Sequence, residues 1–111
     1  MSSNDTWSVH YRPTPRAREG FLRIASQIAD HFGRVVAERV ADDLVHAFEL
    51  LERNPGAGHR RDDLTHNCQV LFWHVGPTLI AYRLASDGVH VLFVERAEVD
   101  WERMLAESYD P

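Results

Sequence analysis

"CQVLFWHVGPTLIAYRLASDGVHVLFVER", residues 68–96, holds three apolar runs separated by two short breaks, Gly76–Pro77 and Ser86–Gly88. Val, Ile, Leu, Phe, Tyr and Trp dominate the runs, and most of these fit a pleated, half-buried surface. Tight turns between β-rich runs predict an antiparallel meander. In the middle run Leu79, Ala81 and Arg83 share one face, and Ile80, Tyr82 and Leu84 the other. Trp73 alternates with Phe72, so both sheet faces carry aromatic area. One face is expected to take helices, and the other to stay wet unless a partner covers it.

The helices are legible upstream. Ala17, Phe21, Ile24, Ala25, Ile28 and Phe32 recur at three- and four-residue steps, with Thr14 as cap and Pro15 at the first helical position. Gly33 closes this helix. A second stripe, Val36, Val40, Leu44, Ala47, Phe48 and Leu51, runs to Asn54–Pro55–Gly56. Two stripes joined by so short a link read as an αα-hairpin, and neither stripe is buried by the other alone. Before them, "WSVHYR", residues 7–12, alternates as a short strand. After the meander, Asp100 caps a short helix with Trp101, Met104 and Leu105 on its apolar side. The order is β-α-α-β-β-β: an α+β fold, with a helical hairpin on one face of an antiparallel sheet and a short C-terminal helix. Residues 1–6 read as a flexible tail and residues 7–111 as a single domain.

Composition limits the function. The chain has 111 residues and a net charge of −5, so no global field recruits nucleic acid, and direct sequence-specific DNA binding is not expected. All its basic residues except histidine are Arg, so the lysine amine, the cation most easily tuned for proton transfer, is missing. The charge is uneven: nine Arg against eight acids in residues 1–61, three against nine in residues 62–111. A lone Cys68, no membrane-length apolar run and no signal-like start lead to the expectation of a cytoplasmic protein. Seven histidines show no metal-ligand spacing, so neither metal nor cofactor is expected. The loop "NPGAGHRRDDL", residues 54–64, sets His59, Arg60 and Arg61 together: a partner contact, or a solvated corner beside Asp62 and Asp63. Arg83 is either an exposed functional cation or the partner of Glu95 or Asp87.

Four segments together resemble one family. They are "YRPTPRAREGFLRIASQIADHFG", "AERVADDLVHAFELLERNPGAGHRRDDL", "VGPTLIAYRLASDGVHVLFV" and "RAEVDWERML". In order and separation they are similar to ParE-like toxins of type II toxin–antitoxin systems, in the ParE/RelE superfamily. The resemblance implies a bacterial growth-inhibiting toxin neutralised by a cognate antitoxin, ParD-like or other, with a DNA-binding N-terminus. ParE-like members are associated with inhibition of DNA gyrase by binding; RelE-like members cut ribosome-bound mRNA. RNA cleavage needs groups that take and give protons besides cations for the developing charge. Where the nuclease pattern is basic, this chain has Gln69, Leu71 and Thr78. Arg61, Arg83 and Arg96 would be the residues of a nuclease, and Arg is a poor proton shuttle. In the ParE ending, Arg96 and Val99 stand where a His and an Arg are usual. The expectation is therefore a binder of a protein target without a catalytic set. The alternatives are an mRNA endonuclease and a non-toxic interaction module of the same fold. Target contacts are expected from Arg60, Arg61, Arg83, Arg96 and Trp101, and antitoxin contacts from Arg12, Arg16, Arg18, Arg23 and Trp73.

Overall fold

In the computed structural model, residues 11–109 are described. The elements run β1 (Tyr11–Pro13), α1 (Pro15–Phe32), α2 (Arg34–Arg53), a 3₁₀ turn (Pro55–Ala57), β2 (Val70–Val75), β3 (Thr78–Ala85), β4 (Gly88–Arg96) and α3 (Trp101–Tyr109). Thr14 caps α1 as the sequence indicates, its hydroxyl accepting from the Ala17 N–H at 3.1 Å. The Asp100 carboxylate accepts from the Arg103 N–H at 3.2 Å at the start of α3. Of the strand read over residues 7–12, Tyr11 and Arg12 fall in β1; Trp7 and Val9, like the tail of residues 1–6, lie outside the described residues.

The sheet order is β1-β4-β3-β2. The meander is antiparallel, whereas β1 pairs with β4 in parallel, Tyr11 opposite Val89 and Pro13 opposite Val91. The sheet is thus mixed rather than wholly antiparallel. β1 adds to the outer side of the meander's last strand, and Pro13, lacking an N–H, suits that edge. Beyond Val91 the edge of β4 passes from β1 to α1. Thr14 donates its N–H to the Val91 carbonyl at 2.9 Å and its hydroxyl to the Leu92 carbonyl at 2.8 Å. Gly20 then lies so close to β4 that an added Cβ would strike the Val94 carbonyl oxygen. A helix laid along an open strand edge blocks further pairing there.

A bulge divides β4. Ala81 pairs with Phe93 and Tyr82 with Val91, which leaves Leu92 without a partner. Leu92 and Phe93 consequently face the same way, and the alternation resumes one residue out of step. Two cores result. The helix-side core holds Ala17, Ile24, Leu44, Phe48, Leu51, Ile80, Tyr82 and Val94. The far side holds Val70, Phe72, Leu79, Ala81, Phe93, Trp101 and Leu105. The second face is therefore covered by the chain's own α3, which corrects the expectation of a wet face awaiting a partner. Trp101 sits edge-on to Phe72 and Phe93, with centroids 5.9 and 6.2 Å away. The two helical stripes outrun the sheet: Phe32 is 70% exposed and Val36 39%, because both lie where α1 turns into α2.

Candidate functional site

The crossover from α2 to β2 is built around one phenol. Tyr82 is fully buried, and its hydroxyl donates to the Pro55 carbonyl at 2.6 Å and accepts from the Gly58 N–H at 2.9 Å. An added Cβ at Gly58 would collide with that hydroxyl and crowd the Phe72 carbonyl at 2.9 Å, so the close approach requires glycine. One residue on, His59 exchanges two backbone hydrogen bonds of 2.8 Å with Phe72, pinning the loop to the open edge of β2. The sequence offers both halves, the Asn-Pro-x-x-Gly exit and the Tyr-Arg pair, without their contact 24 residues apart. Burial raises the Tyr82 phenol pKa, with the Gly58 N–H pulling the other way. A raised phenol stabilises the fold fully below its unfolded value near about 10 and loses that contribution as pH rises through the folded value. Tyr82→Phe strands the Gly58 N–H. Its expected cost is about 1–3 kcal/mol at neutral pH, together with a shallower loss of stability above about pH 10. Urea titrations at pH 7 and in alkali check both; unchanged midpoints would disprove the anchor.

The basic candidates do not converge. Arg61 holds Asp63 through two hydrogen bonds of 2.9 Å, which raises the guanidinium pKa and lowers that of the carboxylate. Arg60 reaches Asp62 at 3.2 Å, and Arg96 reaches Glu98 at 2.6 Å. Arg83 has neither of the partners considered for it. Glu95 is taken by Arg23 at 2.9 Å, and Asp87 by His90 at 2.9 Å and Arg12 at 3.4 Å. The His90 hydrogen bond, then Arg12 and the His90 charge, hold the Asp87 carboxyl below its ordinary range. Arg96 pairs with Thr78 and Arg83 with His90, five residues along β3, or roughly 17 Å. They also face opposite sides of the sheet, since Arg83 shares the face of Leu79 and Ala81. A nuclease trio of Arg61, Arg83 and Arg96 is therefore not assembled.

Four other candidates change character. Trp101, expected at a target surface, is 2% exposed, and its indole N–H donates to the Arg96 carbonyl at 3.0 Å; it serves the fold instead. Arg23 is committed to Glu95, and the Arg16 guanidinium lies 5.2 Å over the Phe93 ring. Trp73 is half-buried on the helix side and stacks on His59, centroids 6.3 Å apart and planes 13° from parallel.

What the sequence did not disclose is an apolar groove of about 350 Å³ between β1 and the hairpin. Tyr11, Phe21, Leu22, Val45 and Phe48 wall it, with the exposed Arg18 at its rim. Phe48 is tilted against Tyr11 at 5.4 Å and Phe21 at 6.4 Å. Burial, and then Glu49 and Glu52, raise the Tyr11 phenol pKa. Leu22 stands 65% exposed on the wall. Among the described residues, no group of three His, Cys, Asp or Glu could hold a metal ion, and no helix is long and apolar enough to cross a membrane.

A helical hairpin on a mixed four-stranded sheet, closed behind by a short helix, is a ParE-like scaffold. It is similar to a solved chain titled chromosomal ParDE TA system from P. aeruginosa, with a TM-score of 0.66 at 20% identity, covering 79% of this chain and 95% of that one. Residues 11–101 match the family model described as ParE toxin of type II toxin-antitoxin system, parDE. The chain belongs to that family. No curated protein matches it.

Proposed function

We propose that this chain is the toxin of a type II module, acting by binding a protein target, and that a cognate antitoxin neutralises it through the apolar groove. DNA gyrase is the target the family likeness favours. One observation carries the choice of binder over nuclease: Arg61, Arg83 and Arg96 are dispersed, with Arg61 and Arg96 already ion-paired and Arg83 on the opposite face from Arg96. Two cations can hold a phosphate, but Arg83 and Arg96, on opposite faces and roughly 17 Å apart along β3, do not share one.

The groove supports the antitoxin reading. It offers aromatic walls and the exposed Leu22 to the anchors of an amphipathic helix, the helix-in-groove mode of recognition. The basic surface beside it suits an acidic arm, with Arg18 and Arg12 as contacts; Arg16 and Arg23 act mainly within the fold, and Trp73 is a contact only at the β2 edge. Arg60, Arg61, Arg83 and Arg96 remain the proposed target contacts.

Expression without a partner is expected to arrest growth. The purified chain should inhibit gyrase supercoiling and leave translated mRNA uncut. Arg60→Glu with Arg61→Glu should weaken gyrase inhibition severalfold without unfolding the chain, because both side chains are exposed or nearly so. Codon-dependent mRNA cleavage lost in Arg83→Ala would overturn the reading for an endonuclease. Unaffected growth would favour a non-toxic interaction module.

A further inference from the structure

We propose that the cleft between the C-terminal half of α1 and the paired ends of β3 and β4 takes a segment of the target protein in which an Asp or Glu side chain stands next to a large apolar one. That the segment belongs to the target rests on the binder reading; the chemistry of the cleft does not. Thr78 opens β3, and Arg96, its cross-strand partner, closes β4. Cross-strand partners share a face, here that of Ile80 and Val94, toward the helices. Ile24, Gln27, Ile28, His31 and Phe32 of α1 stand opposite, and Pro77 completes the lining. The space is about 530 Å³, within the range of about 300–1,000 Å³ usual for ligand sites. It shares no lining residue with the groove between β1 and the hairpin.

The lining is apolar with a few polar groups set around it. Phe32, beside Ile24 and Ile28, is 70% exposed, and Val35 and Val36 continue the exposed surface into α2. Exposed apolar area around a concave site marks contact with another protein, and aromatic and Arg side chains are enriched in such contacts. Arg96 sets the charge. Its guanidinium lies 2.6 Å from the carboxylate of Glu98, two residues on, and both side chains are more than half exposed. So exposed a pair is held weakly, and a carboxylate from outside can take the place of Glu98. Thr78 is 3% exposed, and its hydroxyl has no hydrogen-bond partner among the described residues. Buried hydroxyls are ordinarily paired, so this one has a donor and an acceptor to offer a ligand. The His31 Nδ1 donates to the Gln27 carbonyl at 2.9 Å, because a carbonyl only accepts, and this leaves Nε2 of the neutral ring as an acceptor. A peptide meets this set, with its carboxylate on Arg96 and its backbone polar groups on Thr78, Gln27 and His31.

Nucleic acid fits less well. Among the described residues Arg96 is the one permanent cation lining the cleft, and the chain carries a net charge of −5, whereas a phosphate backbone is held by several cations. A chain-terminal carboxylate is ordinarily caught by backbone N–H groups; here the donor is a guanidinium.

The test titrates the nitrogen-15-labelled full chain with a capped tetrapeptide that places a glutamate after a leucine, read by amide shifts. Saturable shifts are expected at Gln27, Phe32, Thr78 and Arg96. Glutamine in place of the glutamate, or Arg96→Ala in the chain, should weaken binding about tenfold or more, as for a lost charged hydrogen bond. Glu98→Gln should tighten it severalfold by releasing Arg96. Thr78→Val should weaken it severalfold without lowering the melting temperature, because a methyl needs no partner; a threonine that merely supports the fold would lower it. Absence of saturable shifts, equal binding of the glutamine peptide, or the same shifts on raising the chain's own concentration would overturn the proposal. So would tighter binding of a leucine peptide whose one carboxylate is its free terminus. A second arm measures inhibition of gyrase supercoiling. Loss in Arg96→Ala and gain in Glu98→Gln support the target as the segment's source. Peptide binding with inhibition unchanged in both variants would refute the cleft as the target site. Peptide binding by an unaltered chain that leaves gyrase active would refute the gyrase reading and leave the cleft standing.

Discussion

Trp101→Ala is expected to lose about 3–5 kcal/mol of folding stability, the range for truncating a buried Trp or Phe. A domain of this size has only about 5–15 kcal/mol in total. The cost arises because Trp101 is the main tie between α3 and the sheet. Its ring meets Phe72 and Phe93 edge-on, and its N–H closes on the Arg96 carbonyl at the end of β4. With the ring gone, Leu105 is the one fully buried side chain left among the described residues of α3, and Val70, Phe72 and Leu79 meet water. Trp101→Phe should recover much of the loss, since a smaller ring keeps one face of the contact but not the hydrogen bond. Urea titration followed by circular dichroism distinguishes this from a role at a target surface. An unchanged midpoint together with lost target binding would show that Trp101 is a contact after all.

Gly20→Ala should invert a general rule. In a helix interior, Ala is ordinarily better than Gly by about 1 kcal/mol. Here the added methyl falls on the backbone oxygen of Val94 and lies 3.1 Å from the Glu95 carboxylate. The backbone of β4 does not swing aside as a side chain would, so α1 must lift off the strand edge. Lifting it also strains the Arg23–Glu95 pair and the Thr14 bonds to Val91 and Leu92. The expected cost is about 3 kcal/mol, at the upper end for overpacking, or a melting point lower by roughly 10–20 °C. A thermal melt decides it, because the sign alone suffices. A higher melting point would mean that α1 does not rest against that edge.

These two positions show what was legible in the residues. The Trp101–Met104–Leu105 face and the Asp100 cap are periodic and local, so the chain displays α3 plainly. The same holds for the Thr14 cap, Pro15, the Gly76–Pro77 turn and the stripes of α1 and α2. The parallel pairing of β1 with β4 is not local. Its partners are 78 residues apart, and nothing in the alternation of either strand names the other. The glycine at position 20 looks like an ordinary defect in a helix until the strand beside it is known. The charges were the least legible part. Arg23 and Glu95 are separated by 72 residues, and only the fold shows that this arginine is engaged while Arg83 is left without either expected carboxylate. The groove was hidden for the same reason. Its walls come from β1, α1 and α2: Phe21 and Phe48 read as core stripe in their own segments, while Leu22 and Val45 lie off both stripes.

The extra residue in β4 has a consequence for how the chain's length can vary. Removing Leu92 would bring Val91 and Phe93 together as neighbours that already face opposite ways, and every pairing with β3 would survive. Removing any residue between Phe93 and Arg96 would instead turn the rest of the strand over, driving Glu95 or Arg96 into the wrong layer. β4 thus has one dispensable letter in an otherwise rigid reading frame. That letter is occupied, because its carbonyl holds the Thr14 hydroxyl at the foot of α1. A shorter relative built on a regular β4 would have to fasten its first helix by other means.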